Sequence, residues 1–552
     1  MNVDLRRAGV LDEDNSKEIN NIEMSVRIEY NSYIEELLHL NKAQGLTWLL
    51  QATCRNTHLS LIHDSFCRIK LLDNILKKGE IVDRVFVDSA SLKSACKQII
   101  IINNSSATIS FKRPLSFNYY FFNIIKSFIY ICYSYFVPKI ISGKDNPVGP
   151  IIYLDNFIFT NSFNQDGSLV DRYYPGLLDG VNKKIKDKIW HVPTLIGVRT
   201  LSQYISIFKS IRKCKSNFLL KEDFLTIGDY IEAFKISMTL SNSIEKFPKW
   251  NNIDVSDVIN IELSSEKGSP ALMNTILMHI FIKRLCKSKI DISMVIDWNE
   301  NQVIDRAINL GFRKYYPGVK IKGYQGYVVP DYYACKDPTC YEVIAGTIPH
   351  EICVIGETFI ESKKKYCKEI KVSIAPAFRF SGIHKVKKQN NTHNNVLVIL
   401  PISIKDSKDI ILMCNKFSKL TNGKFRLILK HHPSYTFKKF TKLLPESLYP
   451  CFEMSEEPVH DLLTDCIMLI SSWSSVCLEA AVLNIPVAIS GSLSGPSMNP
   501  LYGLKEIKMW RLCYNETALL NFIESNLYHS KININKYFIP VTTSTINDFI
   551  NN

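Results

Sequence analysis

The sequence predicts an α/β protein made of two α/β halves, with an extra, mostly helical N-terminal portion. Three observations carry this expectation. Short apolar runs of strand length alternate with helical stretches over much of the chain. One basic, polar stretch without apolar periodicity, Arg379 to Asn395, interrupts that alternation and reads as an interdomain linker. At 552 residues, the chain is also too long for one ordinary domain. The expected boundaries are an N-terminal region 1–145, a middle α/β domain 146–385 and a C-terminal α/β domain 386–552.

Residues 1–25 are polar. From Tyr30 to about Lys78, apolar residues such as Leu37, Leu38, Trp48 and Leu49 recur at helical spacing. RVFVDS (84–89) and QIIIIN (98–103) read as early strands. Phe117 to Ile141 is aromatic and apolar, yet Lys126 and two asparagines interrupt it. The uncharged run between Lys126 and Lys139 falls short of the roughly 20 residues of a spanning helix. A helix in the membrane interface suits these aromatics, and a buried helix or a dimer face suits them equally. Lys183, Lys184, Lys186, Lys188, Lys209, Arg212, Lys213 and Lys215 then concentrate positive charge, as expected beside anionic lipid or on a solvated face. Strand-like runs resume at PIIYLD (150–155), ISMVID (292–297), KIKGYQGYVVP (320–330) and HEICVIG (350–356). Beyond the linker come NVLVILP (395–401), FRLILK (425–430), CIMLI (466–470) and PVAIS (486–490), separated by helical stretches as parallel crossovers require.

Hydrophobic residues form 46% and charged residues 22% of the chain, an ordinary globular balance. The net charge of +14 suits a partner bearing phosphates or other anions. With no zinc knuckle, RNP-like strand or concentrated basic helix, nucleic acid is not expected. The fifteen cysteines are scattered without a CxxC, which reads as reduced thiols. The polar, mixed-charge opening is not a signal peptide, so the expected location is cytoplasmic, with a peripheral contact at the inner face of the membrane.

Ligands of open parallel sheets lie beyond the carboxyl ends of the strands. His431, His432, Pro433 and Ser434 follow FRLILK, and Ser471 to Ser475 follow CIMLI. The serine turn enters the helical SVCLEAAVLN, so Ser474 and Ser475 bring hydroxyls to free backbone N–H groups, an anion site or a simple N-cap. Glu479 lies one turn beyond Ser475 on the same face. Neighbouring residues of an extended chain point to opposite sides, and no DxD or HExxH accompanies the histidines; a metal is not expected. Of the two, His432 is the functional candidate. Glu300 follows the strand ISMVID and could deprotonate a hydroxyl, or in a retaining reaction attack an anomeric carbon. Alternatively it caps, or pairs with Arg306. Asp297 and Asp229 (in TIGDYIEAF) are reserve carboxylates.

The HP motif, the serine turn with its glutamate, and the small-residue helix ending in NIPV resemble bacterial GT-B glycosyltransferases of surface polysaccharide synthesis. They are most similar to CMP-sugar-dependent Kdo, sialyl- and polysialyltransferases; CDP-glycerol glycerophosphotransferases have a comparable arrangement. DWNENQVIDRAINLGFR, GYQGYVVP and IAPAFRF (374–380) are similar to surface-carbohydrate biosynthesis proteins with an ENQ–GYQ pattern. The resemblance covers about residues 150–490 and implies a GT-B-like fold, two Rossmann-like domains facing across a cleft. It implies CMP held by the C-terminal domain, on His432, Pro433, Ser472, Ser474 and Ser475, with Glu479 on the ribose and Arg379 on the donor's carboxylate. The glycan or glycolipid acceptor then meets the middle domain near Asn301, Gln302, Tyr324 and Gln325. No cofactor or metal is implied, because fixed charge and dipoles can stabilise a single leaving phosphate. The alternatives are another nucleotide-activated donor, or a non-catalytic carbohydrate-binding scaffold.

Overall fold

The computed structural model describes residues 1–111, 119–141, 146–198, 200–386, 394–435, 437–444, 446–448, 450–525 and 532–551. Phe117 and Asn118 of the aromatic segment and residues 387–393 of the expected linker lie outside the described residues.

Three parallel sheets form in chain order. The first joins β1 (Asn2–Asp4), β2 (Arg84–Val87) and β3 (Thr108–Phe111). The middle sheet contains β4 (Ile151–Phe159), β5 (Ile189–Ile196), β6 (Ile292–Trp298), β7 (Lys320–Gln325), β8 (Glu351–Val354) and β9 (Val372–Ile374). Its order is β5-β4-β6-β7-β8-β9. The C-terminal sheet contains β10 (Asn395–Ile399), β11 (Arg426–Lys430), β12 (Phe452–Met454), β13 (Met468–Ser471), β14 (Val487–Ser490) and β15 (Trp510–Cys513). Its order, β12-β11-β10-β13-β14-β15, is that of a dinucleotide-binding Rossmann sheet. The fold is therefore two Rossmann-like α/β domains, preceded by a mostly helical portion with a small sheet of its own.

QIIIIN does not form a strand. It ends the helix Ala90–Ile102, whose N-cap Ser89 accepts from the Leu92 amide. Ile99 and Ile100 are buried while Ile101 and Ile102 are exposed, a helical and not an alternating pattern. The strand sits later, at Thr108–Phe111.

Alternation along each strand assigns the cores. In the C-terminal sheet Val396, Val398, Met468 and Ile470 face the helices Ile404–Leu420 and Glu516–Glu524. Leu397, Leu469 and Val487 face the other way, into a core shared with the middle sheet. The 3-10 turn Phe378–Lys385 buries Phe378, Phe380 and Ile383 in that shared core, so this part of the linker is structural. The helix Thr543–Asn551 returns from the C-terminal sheet to the middle one. There Phe549 meets the ring of Tyr324, and the Lys322 ammonium donates to the Phe549 carbonyl. On the opposite face of the middle sheet, Tyr153, Val295 and Ile321 pack with the helices Pro270–Lys287 and Val303–Tyr315 and with the N-terminal helices.

That N-terminal packing is fixed by a buried charge cluster. Arg55 donates to Glu342 at 2.5 Å, and Arg306 donates to the same carboxylate and, at 2.9 Å, to the Thr53 carbonyl. All three side chains are buried, so each charge depends on the others for solvation.

Candidate functional site

The strand order of the C-terminal sheet reverses between β10 and β13, where a crevice opens beyond the strand ends. A cavity of about 440 Å³ lies there. Ser403 and Asp406 border it after β10, Ser472 and Trp473 after β13, and Ser490 to Ser492 after β14. The N-terminal portion supplies the facing wall with Arg7, His58 and Arg68. Arg68 is braced by Asp64 at 2.8 Å and by the Ser494 carbonyl at 2.6 Å; the His58 ring lies 4.7 Å from that of Trp473. Two polar atoms of residues that border the cavity, Ser472 Oγ and Trp473 Nε1, are buried without a hydrogen-bond partner among the described residues. Such atoms carry a desolvation penalty until something bonds to them.

His432 lies two residues beyond β11, on the carboxyl-end side of the C-terminal sheet, and is not among the residues that border this cavity. Its Nδ1 accepts from the Ser434 amide at 3.1 Å, which leaves the proton on Nε2. Burial, then the charges of Arg379 and His431, pull its pKa down to about 4, so near neutral pH the ring is an uncharged donor. His431 bonds back to the His432 carbonyl and stacks on Phe440, a packing role. Pro433 follows His432 in the turn before Ser434.

The serine turn is partly self-satisfied. Ser474 Oγ accepts from the Val476 amide at 3.3 Å, a cap for the helix Val476–Val482. Ser475 makes no side-chain cap bond. Glu479 is buried, and its Oε2 lies 2.7 Å from His460 Nε2, whose pKa that bond raises. Glu479 is therefore an internal hydrogen-bond partner of His460 and not an open ribose ligand. His460 in turn sits against the 378–385 turn, where a Cβ at Gly382 would come within 2.5 Å of its Nδ1.

Glu300 lies half-buried at the carboxyl end of β6. Its Oε1 accepts from Trp298 Nε1 at 2.9 Å and its Oε2 from Gln302 Nε2 at 2.5 Å; Arg306 is engaged elsewhere. Arg379 is exposed, with its guanidinium 5.7 Å from the Trp298 ring centre. The reserve carboxylates fare differently. Asp297 points into the core one residue beyond the Leu154–Ile296 pair of β4 and β6, beside buried Asp155 and Asp305. Burial and the neighbouring carboxylates push all three pKa values well up, and its full burial removes Asp297 as a cleft base. Burial works against Asp229, but Arg284, at 2.8 and 2.9 Å, and Thr226 outweigh it and lower its pKa. Asp229 closes the capping box of the helix Ile227–Thr239, not a strand end, and is structural.

The ENQ–GYQ residues are likewise mostly architectural. Asn301, with φ 54°, donates to the Cys335 carbonyl at 2.9 Å, and Gln325 donates to the Lys336 carbonyl at 3.2 Å. Their amides thus anchor two successive carbonyls of one turn. Tyr324 is fully buried and donates to the Pro376 carbonyl at 2.7 Å, so it does not line the cleft. Gln302 alone of the four touches Glu300. The residues missing from the sequence reading are Trp298, Trp473, His58 and Arg68. Of these, Trp473 had a signal, since it lies inside the serine turn.

Among the described residues one group could hold a metal: Cys340, Cys367 and Glu369, whose ligand atoms lie within 4.8 Å of one another. Both thiols donate to the Glu369 carboxylate, at 3.4 and 3.1 Å. This group belongs to neither strand-end site.

No family model matches the chain, and no curated protein matches it. Solved structures do. The UDP co-structure of Staphylococcus aureus MnaA is 13% identical, covering 73% of this chain and 97% of that one, with TM-score 0.41. The UDP-GlcNAc 2-epimerase of Neisseria meningitidis bound to UDP-GlcNAc is 13% identical, covering 72% and 99%, with TM-score 0.39. A glycosyltransferase of avilamycin A biosynthesis is 11% identical, covering 73% and 96%, with TM-score 0.31.

Proposed function

We propose that the chain is a glycosyltransferase that holds a nucleotide-activated sugar in its C-terminal domain and passes the sugar to a glycan or glycolipid acceptor against its middle domain. The observation that carries this reading is the cavity at the strand-order reversal, bordered by Ser472 and Trp473, whose buried Oγ and Nε1 have no hydrogen-bond partner among the described residues. Neutral His432 adds an Nε2–H donor suited to a phosphate oxygen.

We take the donor to be a CMP-activated ulosonic acid, Kdo or a sialic-acid relative, with lipopolysaccharide or capsule as the product. Such donors carry a carboxylate at the anomeric carbon. Exposed Arg379, close enough to His432 to depress its pKa, has no carboxylate partner among the described residues and can take that group in a bidentate pair. In the reaction Glu300 removes the acceptor hydroxyl proton, the acceptor oxygen bonds to the anomeric carbon, and the bond from that carbon to the CMP phosphate oxygen breaks. The leaving phosphate gains charge where His432 donates.

A donor screen tests this. CMP should raise the melting temperature where UDP and GDP do not, and CMP-Kdo or CMP-sialic acid should be consumed with a suitable acceptor. Stabilisation by UDP alone would move the reading to a UDP-sugar; consumption of CDP-glycerol would move it to glycerophosphate transfer. No response to any nucleotide would favour a carbohydrate-binding scaffold.

A further inference from the structure

The helix Tyr119–Ile140 carries apolar residues on its exposed face as well as on its buried one, unlike the usual surface helix. Its inward face packs Ile131, Tyr135 and Val137 into the core and is keyed into the protein by polar groups. Ser127 donates to the Gly268 carbonyl at 2.6 Å, Tyr130 to Asn274 at 2.7 Å, and Ser134 lies 2.9 Å from the Tyr230 hydroxyl. Asn123 at the helix start donates to the Ser265 carbonyl at 2.9 Å. The outward face is apolar: Phe121, Ile125, Phe128, Phe136 and Ile140 recur at helical spacing, with Phe128 66% and Ile140 80% exposed.

We propose that this face docks the protein on the surface of an anionic phospholipid bilayer, with the helix lying flat in the interface. By length and composition the helix could cross a membrane, but only 17% of its apolar window is buried in the protein. Leaving the fold to span a bilayer would break every bond of the inward face, whereas lying flat keeps them and covers the phenylalanines. The charge pattern selects the partner. No acidic residue occurs in the helix, and Lys126, two turns into it, and Lys139, near its end, are exposed roughly 20 Å apart at 1.5 Å per residue. The helix Leu201–Lys213 packs alongside and exposes Lys209 and Lys213. Aromatic side chains flanked by lysines match the boundary between acyl chains and anionic headgroups. This inference stands apart from the nucleotide reading, because its readout is binding and not transfer.

Vesicle co-sedimentation of the full chain tests it. Wild type should pellet with phosphatidylcholine vesicles containing phosphatidylglycerol, less with phosphatidylcholine alone, and less as salt rises. The triple variant F121S/F128S/F136S should bind about tenfold more weakly or worse while melting at an unchanged temperature, since each position is exposed. A second variant, Phe128→Trp, should show blue-shifted emission on adding vesicles, quenched by brominated lipid. Equal pelleting of wild type and triple variant, or Phe128→Trp emission indifferent to vesicles, overturns the proposal. A wild-type dimer that the triple variant converts to monomer, without vesicle binding, assigns the face to a second copy instead.

Discussion

The indole N–H of Trp298 donates to the Glu300 carboxylate at 2.9 Å, while the Arg379 guanidinium lies 5.7 Å from the centre of the same indole ring. One side chain of β6 thus positions both the proposed base and the proposed carboxylate clamp. Glu300→Gln keeps the shape and removes the base. We expect turnover to fall about 10²- to 10⁴-fold, the usual span for a general base. CMP affinity should stay within about twofold. Wild-type turnover in this variant would end the assignment.

His432 should matter to binding instead. His432→Ala is expected to weaken CMP binding about ten- to a hundredfold, the range for a hydrogen bond to a charged group. Because the folded pKa is near 4, the imidazole is already neutral at mildly acid pH. Calorimetry between about pH 8 and 5.5 should therefore show affinity independent of this group. A histidine titrating near its ordinary 6.5 would add charge, and affinity, across that window.

Trp473→Phe keeps an aromatic ring towards His58 and removes the unsatisfied N–H together with part of the indole. It should weaken nucleotide binding several-fold, on the order of 1 kcal/mol, without lowering the melting temperature. Weaker binding accompanied by a lower melting temperature would point to packing, not to a ligand contact.

Glu342 is the hinge of stability between the N-terminal portion and the middle domain. Glu342→Gln leaves Arg55 and Arg306 buried without their counter-charge, at a cost of about 3–5 kcal/mol. Urea unfolding should show the transition move to lower denaturant, and a loss under about 1 kcal/mol would mean that water reaches these arginines.

Two groups of buried residues set opposite pH limits. Asp155, Asp297 and Asp305 have raised folded pKa values, so their contribution is full below the unfolded value near 3.8 and declines as pH rises. His63 and His279, lowered to about 3 and about 4, act the other way: stability declines as pH drops below about 6.5 and the unfolded chain takes up the protons. Asp297→Asn should flatten the alkaline side of the melting-temperature profile and leave the acid side unchanged.

Much of this architecture is written in periodicity. The apolar runs at 150–155, 292–297, 395–399 and 466–470 all fall on strands, because a strand buried on both faces needs a continuous apolar run. QIIIIN shows the limit of that signal, since four isoleucines also suit a half-exposed helix once a serine caps it. For the site, the strand-end position of His432, Ser472 and Glu300 was legible, because such ends are fixed by the strands themselves. Pairings across the fold were not. Nothing in the local sequence tells that Glu479 meets His460, or that Asn301 and Gln325 hold one turn, for each partner arrives from a separate element.

The return of the helix Thr543–Asn551 to the middle sheet has a consequence for biosynthesis. Lys322 and Phe549 are bonded 227 residues apart, with the whole C-terminal sheet between them. On the ribosome the middle domain would emerge with one flank of Tyr324 and Phe378 bare, and would stay so until the next domain had been made. Its maturation is thus tied to completion of its neighbour: a chain stalled after β9 presents an open aromatic surface to chaperones, and a finished one covers it with the nine residues of the last helix.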